Sequence, residues 1–258
     1  MKTIHHLLFS AAFLAVSAHA AEPAAISAKD LAAKLSALQQ DGSSYVRLKL
    51  NVTPADGAPK FTLQLQIKQR QTANSSEMVY QVLWPKERAG EAVLLKLSGG
   101  KFSGAVFTPP DTVKTLTSSQ KNDSLFGSSL SYADVLENFF AWDDQKITGT
   151  ETVDKVSCQI LESKAGKGAA FVRSWIDTRR LVPMKVEKFL PSGKPYRRIV
   201  TTQVVSDDMN RNLPAHLAIE DFQKGTSTEL DGSKLKHGVK YDDSEFTPGG
   251  LGQVAPPR

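Results

Sequence analysis

Few residues of this chain could perform catalysis. The single cysteine, Cys158, lies in the pattern Val156-Ser157-Cys158-Gln159-Ile160-Leu161, which is typical of a strand, and only His216 and His237 follow the first twenty residues. Nucleophilic catalysis needs a Ser or Cys with a base in reach, and a zinc site needs three or four ligands. Neither arrangement is indicated, and one cysteine cannot form an intramolecular disulfide. We predict Cys158 to be a small buried strand residue.

Pairs of carboxylates are a weaker candidate for a catalytic site than a Ser, Cys or His group would be. Adjacent acidic residues occur at Asp143-Asp144, Asp207-Asp208 and Asp242-Asp243. Because neighbouring strand residues point to opposite faces, we interpret these pairs as solvated turns, and a catalytic pair stays open as the alternative. Gly99-Gly100 and Gly249-Gly250 lack the strand-to-helix context of a phosphate-binding loop. The prediction is a protein that is not an enzyme and uses no cofactor or metal.

The charge is mildly basic. The formal charge is +5 and becomes +4 without Lys2 and the rest of the first twenty residues. The basic residues are scattered, as at Arg179-Arg180 and Arg197-Arg198, and are not gathered with aromatics into a nucleic-acid footprint. No nucleic acid is therefore expected as a partner, whereas weak peripheral contact with an anionic membrane surface is compatible with this charge.

The first twenty residues have the pattern of a signal peptide. Lys2 is followed by a mostly apolar run over Leu7–Val16 and by the small-x-small site Ala18-His19-Ala20. The run is shorter than the roughly 20 residues that span a bilayer. We expect cleavage after Ala20, with an uncleaved anchor as the alternative. One domain is expected over residues 21–248, and the Gly- and Pro-rich tail from Gly249 to Arg258 is expected to be disordered.

The elements that would position any site are mainly strands. Ser27 is predicted to cap a helix from Ala28 to about Gln40. Apolar and polar residues then alternate with period two along two segments, which predicts half-buried strands joined by the turn at Pro54–Pro59. The apolar members are Val46, Leu48, Leu50, Val52, Phe61, Leu63, Leu65 and Ile67.

Further strands are predicted between turn residues, which makes about eleven short strands in total. Hairpins join most of them, so the pattern predicts an antiparallel sheet curled towards a barrel. A second helical pattern begins at Ser131 and extends to about Phe140. The further strands are Glu77–Trp84, Ala92–Leu97, Lys101–Phe107, Ser157–Ser163, Ala170–Asp177, Met184–Leu190, Tyr196–Val205, His216–Gln223 and Thr226–Leu230.

Five segments carry a resemblance to a known family. They are Asp123–Val135 (DSLFGSSLSYADV), Gly149–Glu151 (GTE), Cys158–Glu162 (CQILE), Ser174–Asp177 (SWID) and Val186–Pro195 (VEKFLPSGKP). Together they resemble the outer-membrane lipoprotein-sorting protein family, relatives of the periplasmic lipoprotein carriers LolA and LolB. The resemblance spans Tyr45 to about Leu251. Two features depart from the family pattern. The strand before Pro109 lacks the usual aromatic-rich sequence that ends in Tyr-x-Pro. Ser128-Ser129-Leu130 stands in place of a more usual Ser-Asp-Phe.

The resemblance implies a mainly β fold with a few helices, an incomplete antiparallel β-barrel whose open mouth is covered by helices. It implies a periplasmic carrier for the acyl chains of lipoproteins or lipids, with an inner-membrane transporter of the resistance-nodulation-division (RND) type as a partner. A lipid-sensing regulatory module and a periplasmic hydrolase are the alternatives. The residues expected to line the acyl cavity are Val46, Leu48, Leu50, Phe61, Leu63, Leu65, Ile67, Val82, Trp84 and Leu95.

Overall fold

The computed structural model describes residues 26–39, 42–55, 57–72 and 74–253, so the predicted signal peptide lies outside the described residues. One antiparallel sheet of 13 strands dominates the fold. The strands are β1 (Gly42–Thr53), β2 (Phe61–Gln71), β3 (Ser75–Trp84), β4 (Ala92–Ser98), β5 (Lys101–Thr108), β6 (Thr112–Leu116), β7 (Asp144–Val153), β8 (Val156–Lys164), β9 (Phe171–Asp177), β10 (Val182–Phe189), β11 (Pro195–Ser206), β12 (Asn212–Asp221) and β13 (Thr226–His237).

The sheet is an open barrel. Sequential strands pair as hairpins, β1 pairs with β13, and the sheet ends at β6 on one side and at β7 on the other. The predicted incomplete barrel is therefore confirmed, with two strands more than the expected eleven or so. The two additional strands are the edges β6 and β7. Their residues are mostly exposed or alternate weakly, so they lack the apolar period that marks an inner strand.

Helical segments cover the concave face. Helix α1 (Ala28–Gln39) begins where Ser27 Oγ accepts a hydrogen bond from the Asp30 amide, as predicted. The connection from β6 to β7, residues 117–143, crosses the concave face and contains the short helix α2 (Tyr132–Leu136). We call this connection the cover segment. None of the helices described is long and apolar enough to cross a membrane.

The core lies between the sheet and this helical cover. Inward residues of β1–β4 pack against Leu125, Tyr132 and Leu136 of the cover segment. On the other half, Leu31 and Leu35 of α1 pack against Phe140 and the inward residues of β8–β10. The alternation in the sequence thus places one set of side chains under the helices, as the period of two requires.

The C-terminal residues pack on the convex face of β2–β5. Phe246 and Leu251 are fully buried there against Val79 and Leu94, and residues Pro248–Gly250 form a 3-10 turn. A Cβ at Gly250 would lie 2.0 Å from the Ser244 carbonyl oxygen, so only glycine fits. The prediction of disorder from Gly249 is therefore wrong up to residue 253, because Leu251 supplies an apolar anchor. Residues 254–258 lie outside the described part.

Candidate ligand-binding site

The cover segment is attached to the sheet by a buried cluster of charges. Asp134 on α2 contacts Lys188 of β10 at 2.8 Å and also contacts the Arg197 guanidinium of β11. Arg197 reaches Asp221 of β12 at 2.5 Å, and Lys188 reaches Glu137 at 2.6 Å. The side chains of Asp134, Lys188, Arg197 and Asp221 are all buried, so these contacts are barely screened by solvent. The cluster joins three strands to one helix.

The same aspartate also starts the helix. Ser131 and Asp134 form a capping box, with the Asp134 carboxylate accepting from the Ser131 amide and the Ser131 hydroxyl accepting from the Asp134 amide. Burial alone would raise the pKa of Asp221, but the Lys224 amide and the Arg197 guanidinium outweigh it and hold this pKa below its usual value. The motif at residues 131–134 is thus explained by attachment of the cover segment.

A second attachment lies earlier in the cover segment. The Ser129 amide donates to Thr228 Oγ1 of β13 at 2.9 Å, and its hydroxyl lies 3.1 Å from Thr226 Oγ1. Gly127, at φ +83°, turns the chain towards these contacts, and a Cβ there would lie 3.5 Å from the Phe61 ring. The middle of the cover segment is therefore fixed to β13 at Ser129 and to β10–β12 at Asp134.

The predicted cavity residues fall into three groups. Six of them are buried in the packed core under the cover segment: Leu50, Leu63, Leu65, Ile67, Val82 and Leu95. Val46, Leu48 and Phe61 are only partly buried at the edge of that core. Trp84 lies outside the core and is 49% exposed at the end of β3. The alternation identified the inward face, but the position of the helices decides which inward residues remain open.

An open part of the concave face forms a cavity of about 530 Å³, which we call the apolar cavity. Neither α1 nor the cover segment contributes to its walls, which come from β1, β2 and β11–β13. Val46, Leu48 and Ile67 of the predicted set line it. Aliphatic residues of the C-terminal strands, which sequence reasoning did not assign, also line it: Val205, Leu213, Leu217, Leu230 and Leu235. All five of these are half-buried, so apolar surface remains accessible there. Ser206, Asp207, Asp208 and Lys236 are the polar residues of the walls.

A second cavity of about 370 Å³ adjoins the first, and we call it the polar chamber. The two share four wall residues, Val46, Leu213, Pro214 and Leu235. The remaining walls come from the C-terminal ends of α1 and α2, from the ends of β1, β2 and β13, from Met78 of β3 and from Arg211, and nine of these thirteen residues are polar or charged. The apolar cavity and the polar chamber therefore have part of one wall in common and differ in how many polar side chains line them.

A charged turn borders both compartments. Asp207 Oδ2 lies 2.9 Å from Arg211 Nη2 and 3.0 Å from His237 Nε2, and His237 also lies 3.7 Å from Asp208. Burial would raise the pKa of Asp207, but the Arg211 amide and guanidinium outweigh it and lower this pKa. Asp207, Asp208 and His237 have metal-compatible spacing. However, the guanidinium on the shared oxygen repels a cation, so we assign the group to a structural turn.

This geometry corrects two interpretations of the sequence. Asp207 is not a solvated turn residue, because its side chain is fully buried and accepts the amides of Met209 and Arg211. His237 ends β13, which extends seven residues past the predicted strand end at Leu230, and it lies against that aspartate. No sequence signal connects positions 30 residues apart, and only the hairpin β12–β13 brings them together.

The remaining candidate nucleophile is inert. Cys158 is a buried residue of β8, as predicted, and packs with Trp175, Val182 and Met184. Burial and the nearby Asp177 charge raise the pKa of its thiol, which disfavours the reactive thiolate. The other histidine, His216, forms a solvent-exposed pair with Asp231 at 2.9 Å. Among the described residues, these groups do not form a nucleophile-and-base arrangement.

Comparisons with known proteins agree with this architecture. A protein-family model described as an uncharacterized protein matches residues 64–253. A comparison with curated proteins finds no match. Three solved structures are similar in fold. A DUF1329 family protein from Desulfovibrio piger has a TM-score of 0.77 at 19% identity, over 87% of this chain and 97% of its own.

An outer membrane lipoprotein-sorting protein domain from Vibrio parahaemolyticus also has a TM-score of 0.77 at 19% identity, over 88% of this chain and 98% of its own. A LolA superfamily protein from Nitrosomonas europaea has a TM-score of 0.65 at 20% identity, over 86% of this chain and 98% of its own. These likenesses establish a LolA-like fold. Since the family model covers most of the chain, the chain belongs to the family of uncharacterized proteins that this model describes.

Proposed function

We propose that this protein is a periplasmic carrier that binds the acyl chains of a lipid or lipoprotein in the apolar cavity, without chemical conversion of its ligand. The observation that carries the proposal is the half-buried aliphatic surface of β1 and β11–β13, which the helical cover leaves open. Monomeric proteins seldom leave a contiguous apolar surface accessible unless it binds something.

The dimensions and chemistry of the cavity support an acyl ligand. Its volume of about 530 Å³ lies within the roughly 300–1,000 Å³ of small-molecule sites. Burial of about eight methylenes of a chain contributes about 6 kcal/mol, which corresponds to a dissociation constant of about 40 μM before any polar contact is counted. Aliphatic carbon forms most of the walls, and Ser206, Asp207, Asp208 and Lys236 are the polar residues among them, so a hydrocarbon chain has an apolar surface to pack against.

The exported location and the partner are part of the proposal. The pattern of residues 1–20 supports export to the periplasm, and the LolA-like fold supports transport of acylated cargo between membranes. An RND-type transporter in the inner membrane is the proposed donor or recipient of the cargo. This partnership rests on family analogy.

The experiment is mass spectrometry of organic extracts from the mature protein, purified from periplasm without detergent. A lipid or acylated peptide in about one-to-one ratio is the expected result. Leu48→Glu places a charge in the apolar cavity and should remove the ligand. Leu48 is chosen over Leu65, which is 1% exposed, because a charge in the packed core would unfold the protein.

The matched control is Val113→Glu, which puts the same charge on the exposed edge strand β6. The control should retain the ligand, and circular dichroism should show both variants folded. Retention of ligand by folded Leu48→Glu protein would contradict the assignment of the cavity. A wild-type protein that stays empty even after incubation with membrane vesicles would contradict the carrier function itself.

A further inference from the structure

An exposed tryptophan borders a groove on the convex face of the sheet. Trp84, which was predicted to line the acyl cavity, is 49% exposed at the end of β3. It pairs with Gln64 of β2, whose side chain is exposed on the face opposite to the buried Leu63 and Leu65. The indole therefore lies on the convex face, away from the apolar cavity. A single exposed aromatic ring is ordinary, so its neighbours decide whether it belongs to a site.

The groove beside this ring has a volume of about 600 Å³ and crosses the adjacent strands β3, β2, β1 and β13. We call it the Trp84 groove. Asn51 of β1 pairs with Thr62 of β2 on one side and with Glu229 of β13 on the other. Paired residues point to the same face of a sheet, so these three polar side chains form a row on the convex face. The other polar wall residues are Thr53, Lys60 and Ser227.

The hydrogen-bonding groups of the groove are accessible and mostly unused. Thr62 Oγ1 donates to Asn51 Oδ1 at 3.0 Å, which leaves the Asn51 amide nitrogen as a donor. In the described part of the chain, the Trp84 indole N–H has no acceptor, and Lys60 and Glu229 form no ion pair. Lys60 and Glu229 are exposed and Asn51 is half-buried, so a ligand in the groove can reach them. Donors and an acceptor are thus offered next to an open aromatic face.

The charge of the groove is balanced. Lys60 and Glu229 are the charged residues of its walls, so an anion or a cation would meet one like charge. A neutral ligand that both donates and accepts hydrogen bonds suits these walls better. A pyranose has this chemistry, because each hydroxyl can donate and accept and the C–H face of the ring can stack on an indole.

We propose that the Trp84 groove binds a neutral hexopyranose unit of an oligosaccharide. The sugar ring stacks on Trp84, and its hydroxyls accept from the Asn51 amide nitrogen and donate to the Glu229 carboxylate. A groove of about 600 Å³ lies within the size range of small-molecule sites. This site goes beyond the proposed function and is independent of it, because it occupies the other face of the sheet and needs no acyl chain.

The test is an NMR titration of the isotope-labelled mature protein with two neutral sugars, chitotetraose and maltotetraose, and with the acidic sugar tetragalacturonate. The Trp84 indole N–H signal, identified by its loss in Trp84→Phe, reports stacking. At least one neutral sugar should shift it with a dissociation constant of about 1 mM, since an open groove leaves much of the ligand in solvent. Tetragalacturonate should bind no more tightly, because its carboxylates meet Glu229.

Three variants separate the roles of the wall residues, with the backbone amide of Glu229 as the reporter. Trp84→Ala removes the stacking surface and should weaken binding at least about tenfold. Asn51→Ala removes one donor and should weaken it about three- to fivefold, the effect of one net hydrogen bond. The matched control is Phe222→Ala, which removes a ring that is 41% exposed outside the groove and should change nothing. A thermal melt checks that each variant is folded.

The outcomes are distinct from those of the acyl-carrier test. Absence of binding by both neutral sugars up to about 10 mM, or unchanged binding by folded Trp84→Ala, would overturn the inference. Tighter binding of tetragalacturonate would overturn the neutral ligand class. A Trp84 shift caused by vesicles of phosphatidylethanolamine and phosphatidylglycerol, but not by sugars, would identify a membrane-contact surface instead. Leu48→Glu should bind sugar as the wild type does, so loss of the acyl ligand leaves this inference standing. The wild-type series is decisive by itself if Trp84→Ala does not fold.

Discussion

The buried charge cluster predicts that Asp134 is essential for holding the cover segment on the sheet. Asp134→Asn keeps the shape of the side chain and an oxygen that can still accept the Ser131 amide, so the start of α2 is retained. What is lost is the negative charge shared by Lys188 at 2.8 Å and Arg197. The variant therefore tests the electrostatic contacts and not the helix cap.

The size of the stability loss depends on which carboxylate partners Lys188 and Arg197 keep in the variant. Removal of one partner from a buried ion pair costs roughly 3–5 kcal/mol. Lys188 keeps Glu137 and Arg197 keeps Asp221, so the lower end applies and we expect a loss of about 3 kcal/mol in the free energy of unfolding. For a chain of this length, such a loss corresponds to a fall in Tm of about 6–12 °C.

Urea denaturation followed by tryptophan fluorescence measures this loss, and two variants calibrate it. Asp111→Asn changes an exposed aspartate in the turn between β5 and β6 and should stay within about 0.5 kcal/mol of the wild type. Glu137→Gln removes only the half-exposed partner of Lys188 and should cost about 1 kcal/mol. A loss below 1 kcal/mol for Asp134→Asn would refute the reasoning, because the cover would then be held by apolar packing alone.

Three further predictions concern other parts of the fold. The Cys158 thiol should resist a thiol reagent in native buffer and react fully in denaturant; rapid labelling of the native protein would contradict its burial in β8. Asp221 has a lowered pKa in the folded state, so its charge stabilises the protein above the unfolded pKa of about 3.9, and this contribution is lost as the pH falls through the folded value. The stability difference between wild type and Asp221→Asn should hence narrow from pH 7 to pH 3, and a constant difference across this range would count against the pairing with Arg197. Phe246→Ala should lower the free energy of unfolding by about 3–4 kcal/mol, because it empties a buried site on the convex face. The measurement is urea denaturation, with Met209→Ala on the surface as the control. Equal stabilities of the two variants would mean that the C-terminal packing contributes nothing.

Sequence periodicity was sufficient for the strands that bury one face. The alternation in β1 and β2 and the turn between them are present in the structure as predicted, because a period of two separates the two faces of a strand. The outer face of β2 is nevertheless covered, since Gln66 and Lys68 are buried. The edge strands β6 and β7 were missed for the same reason. They lie at the ends of the sheet and bury little, so no apolar period was required of them.

The charged cluster had a sequence signal that could have been used. Lys188 follows Val186, and Arg197 precedes Ile199, at inward positions where the alternation leads one to expect apolar residues. A charge at such a position must be paired when it is buried. The capping-box pattern at residues 131–134 contains a carboxylate, Asp134, that could pair with these buried cations. The sequence does not specify which strands this carboxylate contacts.

The sequence by itself determined a mainly β chain with two helical segments, a buried unreactive cysteine and a concave face lined by alternating aliphatic residues. Only the tertiary structure decided which part of that face is filled and which stays open. Leu65 lies under the cover segment whereas Leu48 borders the apolar cavity, although both occupy equivalent inward positions. Local pattern fixes the direction of a side chain, but burial depends on what packs above it. In this protein the position of the cover segment above the sheet is set by the long-range contacts of Asp134 and Ser129 with β10–β13.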